Sequence, residues 1–124
     1  MDTQKQLKFP KTARLRSKSE YQAVFSFSCK VVSHILIVFA KPNTHDSARL
    51  GLAISRRCSK LAVERNRIKR VLRQAFRLIR YQLPKLDLVV VCKPVASQVT
   101  NSVLSDAFLT QITKVCRRSC AELS

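Results

Sequence analysis

The chain has 124 residues, 46% of them hydrophobic, which suits one globular domain with a modest core and argues against general disorder. Its formal net charge of +17 indicates a polyanionic partner such as nucleic acid, because so many like charges repel one another in a compact fold. No run of about 20 apolar residues is present, so we expect no membrane partner. The single glycine excludes a Gly-rich phosphate loop, so we expect neither a nucleotide-binding enzyme nor a small-molecule substrate.

The first segment, residues 1–16, is basic and lacks the apolar stretch of a secretory signal. Phe9-Pro10 favours an extended path, and we expect this segment to be an arm that is mobile until it binds. Ser17 or Ser19 can cap a short helix over residues 20–27. Apolar side chains recur in that helix at helical spacing: Tyr21, Val24 and Phe25.

Strands are predicted next. Residues 29–40 are rich in β-branched side chains and predict two strands broken near Ser33-His34. The polar segment 41–47 contains a proline and reads as a loop. Residues 49–55 predict a third strand.

A strongly basic helix follows. Residues 56–80 contain ten Lys or Arg residues and a single acid, Glu64. A basic loop over 56–60 leads into a helix predicted for residues 62–82. At about 100° per residue, one stripe of this helix is polar and cationic: Asn66, Lys69, Arg70, Arg73, Arg77 and Arg80. The opposite stripe is apolar: Ile68, Leu72, Ala75 and Ile79.

The last third of the chain completes the sheet. Pro84 marks the exit from the basic helix, and residues 87–92 form a continuous apolar run typical of a strand covered on both faces. Thr100, Asn101 or Ser102 can cap a final helix that reaches about residue 120. The prediction is one α+β domain over residues 1–124, in the order α-β-β-β-α-β-α, with one four-stranded sheet.

Side chains for catalysis are sparse. No acid is positioned to orient His34 or His45, and the seven acids are scattered with no pair spaced to bind magnesium. The five cysteines include no CxxC pair, so we expect reduced thiols in a cytoplasmic protein. We therefore expect neither a catalytic residue nor a metal site on the polypeptide.

Binding groups are abundant by comparison. Arginines on the exposed stripe can neutralise phosphates and offer a planar fork for bidentate contacts, and Asn66 can both donate and accept. A merely solvated charged face usually interleaves Glu with Lys, and those acids are missing here. Tyr21 and Phe25 share one helix face. Together with Phe39 they either stack unpaired bases or pack the helix on the sheet, and the pattern alone favours neither.

From Ser55-Arg56-Arg57 through Phe76-Arg77, and above all at Arg65-Asn66-Arg67-Ile68-Lys69-Arg70, the sequence resembles the protein component of bacterial ribonuclease P. The resemblance continues through most of the chain. It includes Phe9-Pro10, the aromatic pair Tyr21 and Phe25, and the strand segments at residues 49–52 and 87–91. The family often has glycine just after its first helix, where this chain has Ser26-Phe27-Ser28, so that turn is expected to differ.

The resemblance implies a subunit of an endoribonuclease that removes the 5′ leader from precursor tRNA. The RNA subunit would perform the hydrolysis and hold the magnesium ions. It also implies a left-handed strand–helix–strand crossover through the basic helix. The residues expected to bind the catalytic RNA are Arg56, Arg57, Lys60, Arg65, Asn66, Arg67, Lys69, Arg70, Arg73 and Arg77. Those expected to bind the single-stranded leader of the substrate are Tyr21, Phe25 and Phe39.

Two other functions remain open on the residues alone. A small basic RNA-binding module, such as a ribosomal protein, would share the size and charge but would not explain the paired aromatics. A protein-only nuclease is opposed by the missing acid cluster.

Overall fold

The computed structural model describes residues 13–123, with side chains as far as residue 117. The helices are α1 (Lys18–Ser26), α2 (Ala62–Ile79) and α3 (Asn101–Leu123). The strands are β1 (Cys29–Val32), β2 (Leu36–Pro42), β3 (Arg49–Ala53) and β4 (Leu86–Cys92). Short 3₁₀ turns follow α2 and β4 at Arg80–Gln82 and Pro94–Gln98. The predicted α+β order is confirmed, whereas the second 3₁₀ turn was not predicted.

The four strands form one mixed sheet in the order β1-β2-β4-β3. β2 is antiparallel to both β1 and β4, and β3 is parallel to β4. Because β4 lies between two strands and is covered on both faces, its apolar residues are consecutive, as the sequence predicted. Helix α2 joins the parallel neighbours β3 and β4. The left-handedness of that crossover stays a prediction.

The two faces of the sheet carry cores of different size. Helices α2 and α3 cover one face, where Phe76 and Phe108 are fully buried among strand residues such as Leu88. Helix α1 covers part of the other face, where Val24 packs with Val89 in a small cluster. Within residues 13–123, no helix is long and apolar enough to cross a membrane.

The segment before α1 packs against the outer edge of β3. Ala13 and Leu15 are buried, and the Leu15 N–H donates to the Leu50 carbonyl at 3.0 Å. Residues 13–16 of the predicted mobile arm thus pack on the sheet, and the mobility of the arm stays a prediction. Pairing of this kind satisfies backbone groups that an edge strand would otherwise expose. Residues 1–12, with Phe9-Pro10, lie outside the described residues.

Helix α1 begins and ends with defined local structure. Ser17 is its N-cap: the Ser17 Oγ accepts from the Glu20 N–H, and the Glu20 carboxylate accepts from the Ser17 N–H, which makes a capping box. After the helix, Ser28 has a φ of 68°, a left-handed conformation that glycine adopts most easily. Ser28, in the turn that was expected to differ, thus has a glycine-like backbone conformation.

Helix α3 is tied to the hairpin of β1 and β2 by one buried amide. The Gln111 Nε2 donates to the carbonyls of Val31 and Leu36, and its Oε1 accepts from the Ser33 hydroxyl at 2.9 Å. These bonds satisfy polar groups in the core and fix the helix against the sheet.

Candidate nucleic-acid interface

Helix α2 separates its two faces as the sequence predicted. Ile68, Leu72 and Ala75 are buried against the main core. On the opposite side Asn66, Arg70 and Arg73 are exposed, and Lys69 and Arg77 are half-buried beside them. The helix therefore anchors the fold with one face and presents cationic groups with the other.

Arg80 does not belong to that cationic face, which corrects the predicted stripe. The α-helix ends at Ile79, and the 3₁₀ turn that follows directs Arg80 into the protein, where it is 5% exposed. Its guanidinium donates to the Ala48 carbonyl and the Ser47 hydroxyl, and lies over the Tyr81 ring. Extrapolating the helical period to residue 82 missed this change of direction.

Two arginines of the central motif make bonds within the protein. Arg65 donates to the carbonyls of Ser59 and Lys60 at 2.9 and 3.0 Å, which closes the basic loop onto the start of α2. Arg67 pairs with Glu64 and donates to Asn101 Oδ1 at 2.6 Å. Both side chains therefore have structural partners as well as positive charge.

The remaining basic groups of the loop and helix face solvent. In the described part of the chain, no ion pair or side-chain hydrogen bond engages the cationic groups of Arg56, Arg57, Lys60, Lys69, Arg70 or Arg73. Asn66, Arg70, Arg73, Gln74 and Arg77 line an open groove of about 360 Å³. Arg77 donates to Gln74 there at 2.6 Å. This surface concentrates positive charge that the protein does not neutralise.

An aromatic cleft lies on the other face of the sheet. Phe39 lies on the sheet face that α1 covers, and its ring meets the Phe25 ring edge-on, with centroids 4.8 Å apart. The Lys30 ammonium is 5.7 Å from the Phe39 centroid. The structure thus brings Phe25 and Phe39 together beside a cation, while Phe25 stays 36% exposed.

Tyr21 is held more tightly than its neighbour on α1. Its ring lies over Gly51, where an added Cβ would be 2.8 Å from Tyr21 Cζ. Its hydroxyl oxygen accepts from the Leu52 N–H at 3.0 Å. Tyr21 therefore fastens α1 to the edge strand β3, a role that its helical spacing could not reveal.

Three charged residues next to the cleft form a cluster that the sequence did not predict. Arg49 binds Asp87 with two hydrogen bonds of 2.7 and 2.8 Å, and reaches Glu20 at 2.9 Å. Backbone N–H groups of Ser17 and Arg16, and then Arg49, lower the pKa of Glu20 to about 2. Hydrogen bonding to Asp87 raises the pKa of Arg49.

The same cluster bears on whether these acids fit a magnesium site. Glu20 and Asp87 are distant in sequence and meet only through Arg49, which donates to both carboxylate oxygens of Asp87 and to one of Glu20. A carboxylate pair bridged by a guanidinium does not fit a divalent cation, because the bridging cation opposes a second one.

The described thiols and histidines lie in different environments. Cys29, Cys58 and Cys92 are buried, reduced thiols, whereas His34 and His45 are exposed. Burial raises the pKa of Cys58 and, more strongly, that of Cys92. Thiols held protonated in this way are poor nucleophiles.

The protein is a basic α+β domain with an unneutralised cationic helix on one side of a mixed sheet and an aromatic cleft on the other. These features are typical of nucleic-acid-binding proteins. Comparison with known proteins identifies the family. Residues 9–116 match the family described as Ribonuclease P, and the chain belongs to that family as a protein component.

Relatives and solved structures agree with this assignment. The chain is 44% identical to the ribonuclease P protein component of Methylococcus capsulatus over 96 residues, 77% of this chain and 75% of that one. It is 41% identical to the ribonuclease P protein component of Xylella fastidiosa over 108 residues, which are 87% of this chain and 79% of that one. The RNase P protein from Thermotoga maritima superposes with a TM-score of 0.73 at 26% identity, over 80% of this chain and 96% of that one. The Staphylococcus aureus RNase P protein shares the fold, with a TM-score of 0.77 at 24% identity, over 84% of this chain and 97% of that one.

The protein is accordingly a subunit of the ribonuclease P holoenzyme, an endoribonuclease of tRNA processing, and its partner is the RNA subunit. The expectation from the Arg65–Arg70 motif is confirmed at the level of family, fold and function. The roles of individual residues stay predictions.

Proposed function

We propose that the solvent-facing cations of the basic loop and α2 bind the catalytic RNA. One observation carries this proposal: Lys69, Arg70 and Arg73 lie side by side on α2 with no carboxylate partner among the described residues. Phosphates would supply the missing negative charge and release counterions. The proposed contacts are Arg56, Arg57, Lys60, Asn66, Lys69, Arg70, Arg73 and Arg77, with Arg65 and Arg67 positioning the loop and the helix as well.

The second part of the proposal concerns precursor tRNA. Phe25 and the half-buried Phe39 form an aromatic pair on the sheet face opposite α2, with Lys30 beside it. Unpaired bases stack on aromatic rings with little sequence preference, which suits leaders of varied sequence. Tyr21 would lie beside the stacked bases of the leader. The protein would then contact catalytic RNA and substrate leader on different surfaces.

In this proposal the RNA subunit performs the hydrolysis. The catalytic magnesium ions would be held by the RNA subunit and phosphates, and the acids nearest the cleft are already bonded to Arg49. The compartment we propose is the cytoplasm, where precursor tRNA is processed.

Cleavage of precursor tRNA at low magnesium tests the proposal with three mixtures: protein alone, catalytic RNA alone, and both together. We expect cleavage only in the combined mixture, because the protein offsets phosphate repulsion that magnesium would otherwise screen. Cleavage by the protein alone would indicate a protein nuclease. No gain on adding protein would indicate a binding module without a role in this reaction.

A further inference from the structure

A pocket of about 430 Å³ lies at the end of α2 that is remote from the basic loop. It is formed by the loop between β2 and β3 and by the 3₁₀ turn that follows α2. The lining residues are His45, Asp46, Ser47, Arg80 and Tyr81. None of them belongs to the surface proposed to bind the catalytic RNA or to the aromatic cleft, so the pocket is a separate candidate site.

The Arg80 guanidinium brings a buried positive charge to this pocket. Arg80 is 5% exposed, and within residues 13–117 it forms no ion pair with a carboxylate. Asp46 lines the same pocket but lies on the exposed loop. Buried charges are usually paired, because removing an ion from water is costly. The C-terminus of α2 and the Ala48 carbonyl offset only part of the charge, so an anion in the pocket would complete its neutralisation.

Hydrogen-bond donors at the pocket also lack acceptors. Arg80 donates to the Ala48 carbonyl and to the hydroxyl oxygens of Ser47 and Tyr81, and its guanidinium has more N–H groups than these bonds use. Within residues 13–117, neither hydroxyl has an acceptor for its own hydrogen. The oxygens of a phosphate group could accept from these donors and supply the missing charge.

The pocket also has an aromatic wall. The Tyr81 ring is 60% exposed, and the Arg80 guanidinium lies 4.9 Å from its centroid. Nucleobases stack on exposed aromatic rings of this kind, and the Asp46 carboxylate could accept from an amino group of a base or from a ribose hydroxyl. The volume lies in the range of small-ligand pockets, roughly 300–1,000 Å³, which leaves room for a base beside the phosphate.

We propose that this pocket binds a nucleoside 5′-monophosphate, either free or at the 5′ end of an RNA strand. The phosphate contacts Arg80 and Ser47, and the base stacks on Tyr81. A terminal phosphate suits the site better than a phosphodiester, because it carries more negative charge. This binding is independent of the contacts proposed above for the catalytic RNA and the leader.

Equilibrium dialysis of the full-length protein with radiolabelled AMP, adenosine or inorganic phosphate tests the ligand class. We expect AMP to bind about tenfold more tightly than either fragment, because only AMP makes both the charged hydrogen bonds and the stacking contact. Equal binding of AMP and adenosine would show that the phosphate is not recognised. Equal binding of AMP and inorganic phosphate would show that the base is not. Either result would overturn the proposal.

Variants of the lining residues test the position of the ligand. Arg80→Gln should weaken AMP binding about tenfold and Ser47→Ala severalfold, through lost hydrogen bonds to the phosphate. Asp46→Asn should strengthen AMP binding severalfold, because it removes a like charge. Lys85→Ala is the matched control: it removes an exposed cation near the same turn that does not line the pocket, and should change little.

Thermal unfolding shows whether Arg80→Gln remains folded. Ser47→Ala and Asp46→Asn change less buried residues and test the pocket in either case. Unchanged AMP binding in both of these variants, or weaker binding in Asp46→Asn, would overturn the proposal. Loss of AMP binding in Arg70→Ala would also overturn it, because the nucleotide would then lie on the cationic face of α2.

The trinucleotide ApApA, with and without a 5′ phosphate, distinguishes the two sources of the ligand. For each trinucleotide, the affinity of wild type is divided by that of Arg80→Gln, which removes the contribution of other cationic surfaces. We expect this ratio to be about ten with the 5′ phosphate and close to one without it. Equal ratios would overturn the proposal. Tighter binding of the phosphorylated trinucleotide than of AMP would assign the pocket to the end of an RNA strand, and equal binding to the free nucleotide.

Discussion

The Tyr21 ring covers Gly51 so closely that the backbone of β3 has no room for a side chain. An added Cβ would stand 2.8 and 2.9 Å from two ring carbons, closer than real contacts allow. The glycine is therefore required by the close approach of α1, since its φ is not in the positive region. The only glycine of the chain lies where the first helix is fastened to the sheet.

Gly51→Ala should destabilise the protein by about 1–3 kcal/mol, because the new methyl group must push Tyr21 from its position. Urea unfolding measures the loss. In a Tyr21→Ala background the same change should cost little, since the obstructing ring is gone. Equal losses in both backgrounds would show that the ring is not the cause.

Glu20→Gln should lower stability at pH 7 by roughly 1 kcal/mol, through the weakened capping box and the lost Arg49 pair. The folded pKa of Glu20, about 2, lies below its usual value of 4.5, so its charge stabilises the fold above pH 4.5. That contribution disappears as the pH falls from about 4.5 to about 2. Unfolding curves of both proteins should converge over this range; a constant difference would contradict the assignment.

Arg67→Ala should destabilise the fold by about 1–2 kcal/mol, because Asn101 and Glu64 lose a hydrogen-bond partner. Arg67→Lys should recover little, as an ammonium cannot replace the planar fork. Thermal unfolding of the free protein is the measurement. Arg70→Ala is the matched control from the same helix and should leave the midpoint unchanged.

Arg70→Ala should instead weaken binding to the catalytic RNA and reduce the slope of log affinity against log salt by about one. Its guanidinium faces solvent with no partner among residues 13–117. Filter binding at several salt concentrations gives the slope. Lys114→Ala removes the same charge from α3 and should change the slope far less. An unchanged slope for Arg70→Ala would remove this residue from the RNA-binding surface.

Phe25→Ala should weaken holoenzyme binding to leader-bearing precursor tRNA about tenfold, the loss expected for one stacked base. Mature tRNA, which has no leader, should bind as before. Phe27→Ala is the control, because Phe27 is also exposed at the end of α1 but makes no ring contact with Phe39. Similar losses for both tRNAs would separate Phe25 from leader binding.

Periodic features of this protein could be predicted from the sequence. The two faces of α2 follow from helical spacing, and the buried run of β4 from its unbroken apolar residues. These patterns are local, because the burial of each side chain decides whether that residue is apolar or polar. The break between β1 and β2 could also be predicted locally, because the polar residues Ser33-His34 interrupt the run of β-branched side chains.

Features that depend on distant residues could not be predicted. Arg49 binds both Glu20 and Asp87, which are 29 and 38 residues away in the sequence. Acids that are scattered along the chain therefore lie close together in the fold. Arg67 finds Asn101 in another helix. The burial of Arg80 depends on where α2 ends, which tertiary contacts decide and periodicity does not.

The strand order has a consequence for how the protein is made. β3 pairs with β4 rather than with β2, so before β4 has been synthesised β3 has no neighbouring strand, and only β1 and β2 can pair. The arginine-bearing helix is synthesised before the central strand that anchors it. Because the pairing of β3 must await the later segment, the surface proposed to bind RNA is held in place only once β4 lies between β2 and β3.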